Sequence, residues 1–487
     1  MAWLGLALIP AIGIVLVLTG LPAFVALIGV AAVGAAAAVA FGDAAAVLTA
    51  LPSRIVNLLE NDLLQALPLF VLMGALLNRL PLADMLFRAG VAAAGNKPAA
   101  PKVAAVALGA LLAPMNGSVG ASVAVLSRTV RPKLTAHGVP AADGFAAIAV
   151  ASTLGVVVPP SLVLILLGDA MMAAHTIASN AAGRSERIVN TQDVFRGVVV
   201  PGGIFLGLCL VIAAFAGEAR EEGAGRDEAR AGAADWVVAG LTVAFIVTLL
   251  GGVAAGYFYA VEAAAMGAVT LLLGGLLSRW IDRAALAAVL AEALAITGAL
   301  FALLLAATTF TLVVRALGTD RLLATLIGAV PGGELAVTLS VLGVIALSAF
   351  VLDAFEIIFV IVPIVMPALL TRVPDAVWVA VLTILTLQAS FLLPPLGYAV
   401  MMTRGAMAEG VPTRFLVRAL APYLLAQAAV LALVAAVPGL THLVAPRETR
   451  VNAPTISDEA VRRGFERLVP AAPEEAAPPL GFDKPAQ

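Results

Sequence analysis

The chain has 487 residues, 62% of them hydrophobic and 12% charged, with a net charge of −2. Soluble globular chains carry roughly 45–50% apolar and 25% charged residues, so this composition excludes an ordinary soluble fold. The small net charge gives no argument for nucleic acid or any other strongly charged partner, and the bilayer is the environment that fits the composition.

Residues 1–42 contain no charge and read as two spans separated at Gly20-Leu21-Pro22. They have no basic leading region, and their apolar stretch is too long for a signal peptide. Further uncharged runs cover 63–78, 103–127, 144–168, 197–217, 236–261, 263–278, 293–314, 335–352, 376–403 and 419–441. At about 20 apolar residues per span, these give about ten to twelve transmembrane helices plus shorter insertions, an all-α polytopic fold. Cys209, the single cysteine, lies in such a run and reads as a small apolar residue. The expected organisation is an N-terminal scaffold segment (1–59), a first repeat (60–217), a charged connector (218–235), a second repeat (236–445) and a polar, proline-rich, disordered tail (446–487).

The run 103–127 is cut by Pro114 and the cluster Asn116-Gly117-Ser118-Val119-Gly120-Ala121-Ser122. Each half is too short to span, and both outer ends are basic: Lys97 and Lys102 before, Arg128, Arg131 and Lys133 after. A single span would put positive charge on both sides of the membrane, so the segment reads as a re-entrant hairpin open to the cytoplasm. A second hairpin is expected over 335–371, broken at Asp353-Ala354-Phe355-Glu356. Its outer ends carry only Glu334, Arg372 and Asp375, which places its entry on the opposite face.

Each hairpin is followed by a Pro-Pro pair inside an apolar run. Ser118 to Pro159 is 41 positions, and Asp353 to Pro394 is again 41, the mark of an internal inverted repeat. Pro159-Pro160 should free backbone carbonyls around Gly155 and Val156, and Pro394-Pro395 those around Ser390 and Phe391. Such groups must face protein or a polar cavity. Together with the hydroxyls of Ser152, Thr153 and Ser390 they form a candidate all-oxygen shell for a small cation, while half-helix N-termini favour an anionic group. Asp353 and Glu356, three apart in apolar surroundings, are functional candidates that can also cap the second half-helix. Glu262 reads as a cap or intersubunit contact, and Asp169 and His175 as interfacial groups.

At these residues the chain resembles the large, DctM-like membrane subunit of tripartite ATP-independent periplasmic (TRAP) transporters. The matching blocks are the segment from Pro68 to Asn78, Asn116 to Ser122, Ser152-Thr153-Leu154-Gly155 through Pro159-Pro160-Ser161, Glu262-Ala263-Ala264-Ala265, Leu352-Asp353 with Glu356, and Gln388-Ala389-Ser390 through Pro394-Pro395-Leu396-Gly397. The resemblance implies an elevator transporter of the ion transporter superfamily, with a scaffold and a transport domain carrying the hairpins. It further implies sodium as coupling ion with no other cofactor, an organic acid such as a C4-dicarboxylate as substrate, a periplasmic substrate-binding protein and a small membrane subunit as partners, and a bacterial inner-membrane location. By the same resemblance, sodium or substrate would be held at Asn116, Gly117, Ser118, Gly120 and Ser122 with Ser152, Thr153 and Gly155, and at Asp353 and Glu356 with Gln388 and Ser390, next to the Pro159-Pro160 and Pro394-Pro395 breaks. The chain departs from the family pattern at Tyr259-Ala260-Val261, before Glu262, and in its extended tail.

The alternative is a self-sufficient sodium-coupled anion carrier of the same superfamily, needing no binding protein. An intramembrane aspartyl protease is disfavoured, because Leu166-Leu167-Gly168-Asp169 lacks the first glycine of the usual block. The absence of a Gly-x4-Gly-Lys-Ser/Thr loop argues against an ATP-driven pump.

Overall fold

A computed structural model describes residues 1–41, 49–60, 62–95, 97–115, 118–159, 161–215, 232–406 and 411–444. Asn116, Gly117, Pro160, the connector up to residue 231 and the tail 446–487 lie outside the described residues. The rest is built from helices, as the apolar runs require. Among the described residues nine helical stretches are long and apolar enough to cross a membrane, counting Ala141–Ala181 through its break and Ala354–Arg372, or ten if Ala66–Arg79 and Leu82–Ala93, bent by 65°, make one span. The chain is a multi-pass membrane protein.

Burial is inverted relative to a soluble fold only at the periphery. The N-terminal helix Ala2–Thr19 has 17% of its residues buried and presents Trp3, Ile14, Val17 and Leu18 outward. At the centre, Ala141–Val157 is buried continuously from Gly144 to Val157, and Ala376–Leu392 is buried at every position but Ala389. These two central helices pack on each other. Around them stands a layer in which Arg283–Ala316 packs on Ala23–Phe41 and Asp62–Arg79, and Ala260–Leu277 also packs on Asp62–Arg79.

The first hairpin consists of Ala100–Leu112, a short 3-10 turn Ala113–Met115, and Val119–Thr129. Three contacts with the central helix Ala141–Val157 fix its path. Lys102 lies 3.9 Å from Asp143. A Cβ on Gly109 would stand 2.5 Å from that of Ala151, and one on Gly155 would stand 2.5 Å from the carbonyl oxygen of Ala113. The first arm therefore runs alongside the central helix in the same direction, backbone against backbone. The chain then turns at Ser118 and returns until Leu134 meets Gly144. Both open ends sit at the same end of the central helix, so the segment re-enters rather than crossing. Lys102 is 2% exposed and paired, so it belongs to this packing rather than to the solvated basic flank expected of it.

The second hairpin, Glu334–Ser348 and Ala354–Arg372, closes in the same way. Arg372 at the end of its second arm donates to the carbonyls of Val330 at 3.0 Å and Gly332 at 3.4 Å, just before the first arm starts. The hairpins also cross over between the halves of the chain. Val119–Thr129 packs on Tyr398–Ala406, and Val362–Arg372 packs on Leu162–Ala181. Arg184, beyond that last helix, caps the end of the second hairpin by donating to Leu370 O at 2.6 Å and Thr371 O at 3.2 Å.

Because the Gly109 and Gly155 contacts are with backbone or a Cβ, which cannot swing away, Gly155→Ala and Gly109→Ala should each destabilise the protein by about 1–3 kcal/mol. Gly203→Ala, where nothing lies within 4 Å, should be neutral. Thermal unfolding of the three variants in detergent checks this; equal midpoints for all three would remove the close-packing account.

Candidate functional site

Both Pro-Pro pairs end a central helix, at Val157 and at Leu392. Val156 and Phe391 each have prolines three and four residues ahead, so neither carbonyl can receive a helical hydrogen bond. The expectation for Ser390 needs correction. Its carbonyl accepts from Leu393 N–H at 3.2 Å, because the last turn tightens before the cis Pro394-Pro395 bond.

At the first break, the carbonyl of Val156 meets the hydroxyl of Ser161 at 3.5 Å. Ser161 is also the N-cap of Leu162–Ala181, accepting from Leu164 N–H at 3.1 Å. Ser118 plays the same part for Val119–Thr129, accepting from Ala121 N–H at 3.1 Å. The tip of the first hairpin thus meets the break of the first central helix. Between them is a cavity of about 10 Å³ lined by Pro114, Ser118, Ser152, Gly155, Val156 and Ser161 among others. A single water needs about 10–15 Å³, so the cavity suits one small ion or water and excludes an organic acid.

The charge preference of this cavity follows from four helix ends. Two C-termini, of the hairpin's first arm and of Ala141–Val157, oppose two N-termini, each end worth roughly half a charge. Each N-terminus has one N–H answered by its cap, Ser118 or Ser161, whereas the Val156 carbonyl has only a long hydroxyl contact. Ser152 donates its proton to Ala149 O at 2.7 Å, so its lone pairs are what it has left to offer. The balance favours a cation.

Of the residues singled out from sequence, the cavity gathers Ser118, Ser152 and Gly155. Thr153, donating to Val150 O at 2.9 Å, Ser122, donating to Ser118 O at 3.0 Å, Gly120 and Pro159 flank it without lining it. Ser161 was not among them, although its place directly after the proline pair and three before a free N–H is an N-cap signature.

The second group is arranged differently. Asp353 is the N-cap of the second arm, accepting from Ala354 N–H at 2.7 Å, and Glu356 accepts from Asp353 N–H at 2.9 Å. Together they form a capping box, and the following turn, Ile357–Ile361, is a π-helix. Ser118 and Asp353, at matching distances from their proline pairs, are thus both N-caps of a second arm. Gln388 is fully buried, and among the described residues neither its amide oxygen nor its nitrogen has a hydrogen-bond partner, so it makes no bond to Asp353. Ser390 donates to Thr386 O at 2.9 Å, and the Thr386 hydroxyl is buried without a partner among the described residues.

Tyr398, the first residue of the helix after the second break, lies near both hairpin tips. Asp353 and Glu356 lie within electrostatic reach of its hydroxyl, and a Cβ on Gly120 would stand 3.0 Å from that oxygen. Sequence reasoning missed it, since nothing local connects residue 398 with 120 and 353. Glu262 is structural: its carboxylate accepts from Tyr259 N–H at 2.9 Å, as one expected reading had it. His175 accepts from Val189 N–H at 3.3 Å with Glu186 nearby at 3.8 Å.

The model of the family described as "Tripartite ATP-independent periplasmic transporter, DctM component" matches residues 11–440. The chain belongs to the DctM family. It is similar to the C4-dicarboxylate TRAP transporter large permease proteins DctM of Rhodobacter capsulatus, 28% identical over 43% of this chain and 48% of that protein. With the DctM of Pseudomonas aeruginosa it shares 25% identity over 78% of this chain and 86% of that one. With the DctM of Vibrio cholerae it shares 29% identity over 42% of each. The alignment therefore spans about half the length of two of these three relatives. In fold it is similar to the crystal structure of the Alcanivorax borkumensis YdaH transporter, at 17% identity, a TM-score of 0.58, and coverage of 82% of this chain and 89% of that one. These relatives are transporter permeases, not enzymes.

A buried amide left without partners costs about 1–3 kcal/mol, which a purely structural residue has no reason to carry. Gln388→Met should raise the unfolding midpoint in detergent while impairing transport. A fall in stability would mean that Gln388 serves the fold.

Proposed function

We propose that this protein is the large permease of a sodium-coupled TRAP importer. It takes a C4-dicarboxylate or related organic acid delivered by a periplasmic binding protein, and it works with a small membrane subunit in the bacterial inner membrane. The observation that carries the reading is the meeting of the first hairpin tip with the first helix break around a cavity of about 10 Å³, which Ser118, Ser152 and Ser161 help to line and whose size is right for one bare cation. Membership of the DctM family and the names of its relatives support the substrate class and the partners.

The two halves act as an inverted repeat. The equal spacing of 41 positions from cap to proline pair, the two re-entrant hairpins and their crossed packing support this reading. The hairpins and central helices form the transport domain, and the peripheral helices, Ala23–Phe41, Asp62–Arg79, Ala260–Leu277 and Arg283–Ala316, form the scaffold. Sodium binds at Ser118, Ser152 and the Gly155–Val156 backbone. Gln388 and Ser390 serve a second site near the second break. Filling these sites neutralises backbone groups that no helix satisfies, which sets the tips for substrate. The substrate's carboxylate is then received by Tyr398 and the first-turn N–H groups of the hairpin arms, beside Asp353 and Glu356.

The large and small subunits reconstituted in proteoliposomes with the binding protein should accumulate succinate only under an inward sodium gradient. Uptake that is equal in potassium, or that requires internal ATP, refutes the coupling. Ser152→Ala and Ser390→Ala should each raise the half-saturating sodium concentration about tenfold, the equivalent of one lost oxygen ligand at about 1.4 kcal/mol. If neither moves it, the sodium assignment is wrong.

A further inference from the structure

A second cavity, of about 150 Å³, lies between a scaffold helix and the first hairpin. It is an order of magnitude above the about 10–15 Å³ that holds one water, and is roomy enough for a short organic acid. One wall is a stripe on the hairpin's second arm, from Ala121 through Ala124 and Val125 to Arg128. The stripe follows one helix face at i, i+3, i+4 and i+7. At 1.5 Å per residue it extends about 10 Å from just beyond Ser118 to the open end of the hairpin. The facing wall is the last turn of Asp62–Arg79, with Asn78 and Arg79, and Glu292 of Arg283–Ala316 closes the side.

The chemistry of the walls is specific. The middle is small and apolar, which leaves width for a carbon chain. The rim holds two guanidiniums against one carboxylate, and neither Arg79 nor Arg128 lies within 4.0 Å of Glu292 in an ion pair. Asn78 lines the cavity beside Arg79, its amide oxygen buried. Part of each arginine charge answers the negative end of its own helix, since both stand in a last turn. Two planar forks remain that match carboxylate oxygens.

We propose that this cavity is a second binding site, distinct from the hairpin tips, for a short-chain carboxylate, held between Arg79 and Arg128 and restrained from overtight binding by Glu292. This rests on the transport reading above. Arg79 belongs to the proposed scaffold and Arg128 to the proposed moving hairpin, so the site is assembled only when the two bodies are side by side as here. It is a waystation for the acid between the hairpin tip and the hairpin's open end.

The test uses the purified full chain carrying Ala124→Cys in a Cys209→Ser background, with maleimide labelling timed in sodium-free choline buffer. Succinate should slow labelling about tenfold, as expected for a bidentate charged contact, whereas the neutral succinamide should not. Arg79→Gln and Arg128→Gln should each abolish the protection, Arg128→Lys should retain part of it, and Glu292→Gln should strengthen it. No protection in the parent, or protection unchanged in both glutamine variants, overturns the site. Equal protection by inorganic phosphate overturns the carboxylate assignment. Protection that needs sodium and survives both arginine changes belongs to the hairpin tips and sinks this proposal alone. Arginine-dependent protection in a protein without sodium-driven uptake removes the transport reading and leaves the binding site standing.

Discussion

In a membrane, no water stands by to receive a backbone group that loses its helical partner. That constraint organises this protein. The proline pairs after Val158 and Leu393 each leave carbonyls that the helix cannot serve, so both breaks have to be enclosed by other chain. The central helices are accordingly the most buried in the molecule, and the hairpin tips are brought to them. The serine caps at Ser118 and Ser161, the capping box at Asp353 and Glu356, and the arginine caps from Arg184 and Arg372 are local answers to the same demand.

The close approach of the first hairpin to its central helix follows from side chains that are absent. Gly109 and Gly155 let two backbones touch where any Cβ would collide, and small residues are the general means by which helices approach closely in lipid. The Lys102–Asp143 pair fixes the far end of the same contact. Hairpin arm and central helix are thus held at three levels, and the small cavity at the tip keeps its shape because both of its walls are one packed unit.

What was legible in the sequence was what prolines, caps and spacing dictate locally. Pro159-Pro160 and Pro394-Pro395 announced helix ends, the equal distances back to Ser118 and Asp353 announced two matching hairpins, and Asp353 with Glu356 could be read as a cap. What could not be read were contacts between distant segments. Tyr398 matters through Gly120 and the acids at the other tip, and no period or motif connects those positions. The buried pairing of Lys102 was hidden because a lysine near a span end reads as a topological signal. The Ser390 carbonyl was misjudged because a 3-10 turn, available one residue before the prolines, supplied the donor from Leu393.

The crossed packing of the hairpins also bears on how the protein is made. Val119–Thr129 rests on Tyr398–Ala406, and Val362–Arg372 rests on Leu162–Ala181, so each half of the chain carries a partner that the other half needs. A ribosome that has delivered the first half has produced a re-entrant arm whose covering surface starts 279 positions after Val119, at Tyr398. Until that surface emerges, the polar tip has to be sheltered by something else, whether an insertase or a holding chaperone. Biogenesis of this fold is therefore a two-stage event. Insertion of the spans comes first, and the tips are seated only once synthesis has passed Ala406.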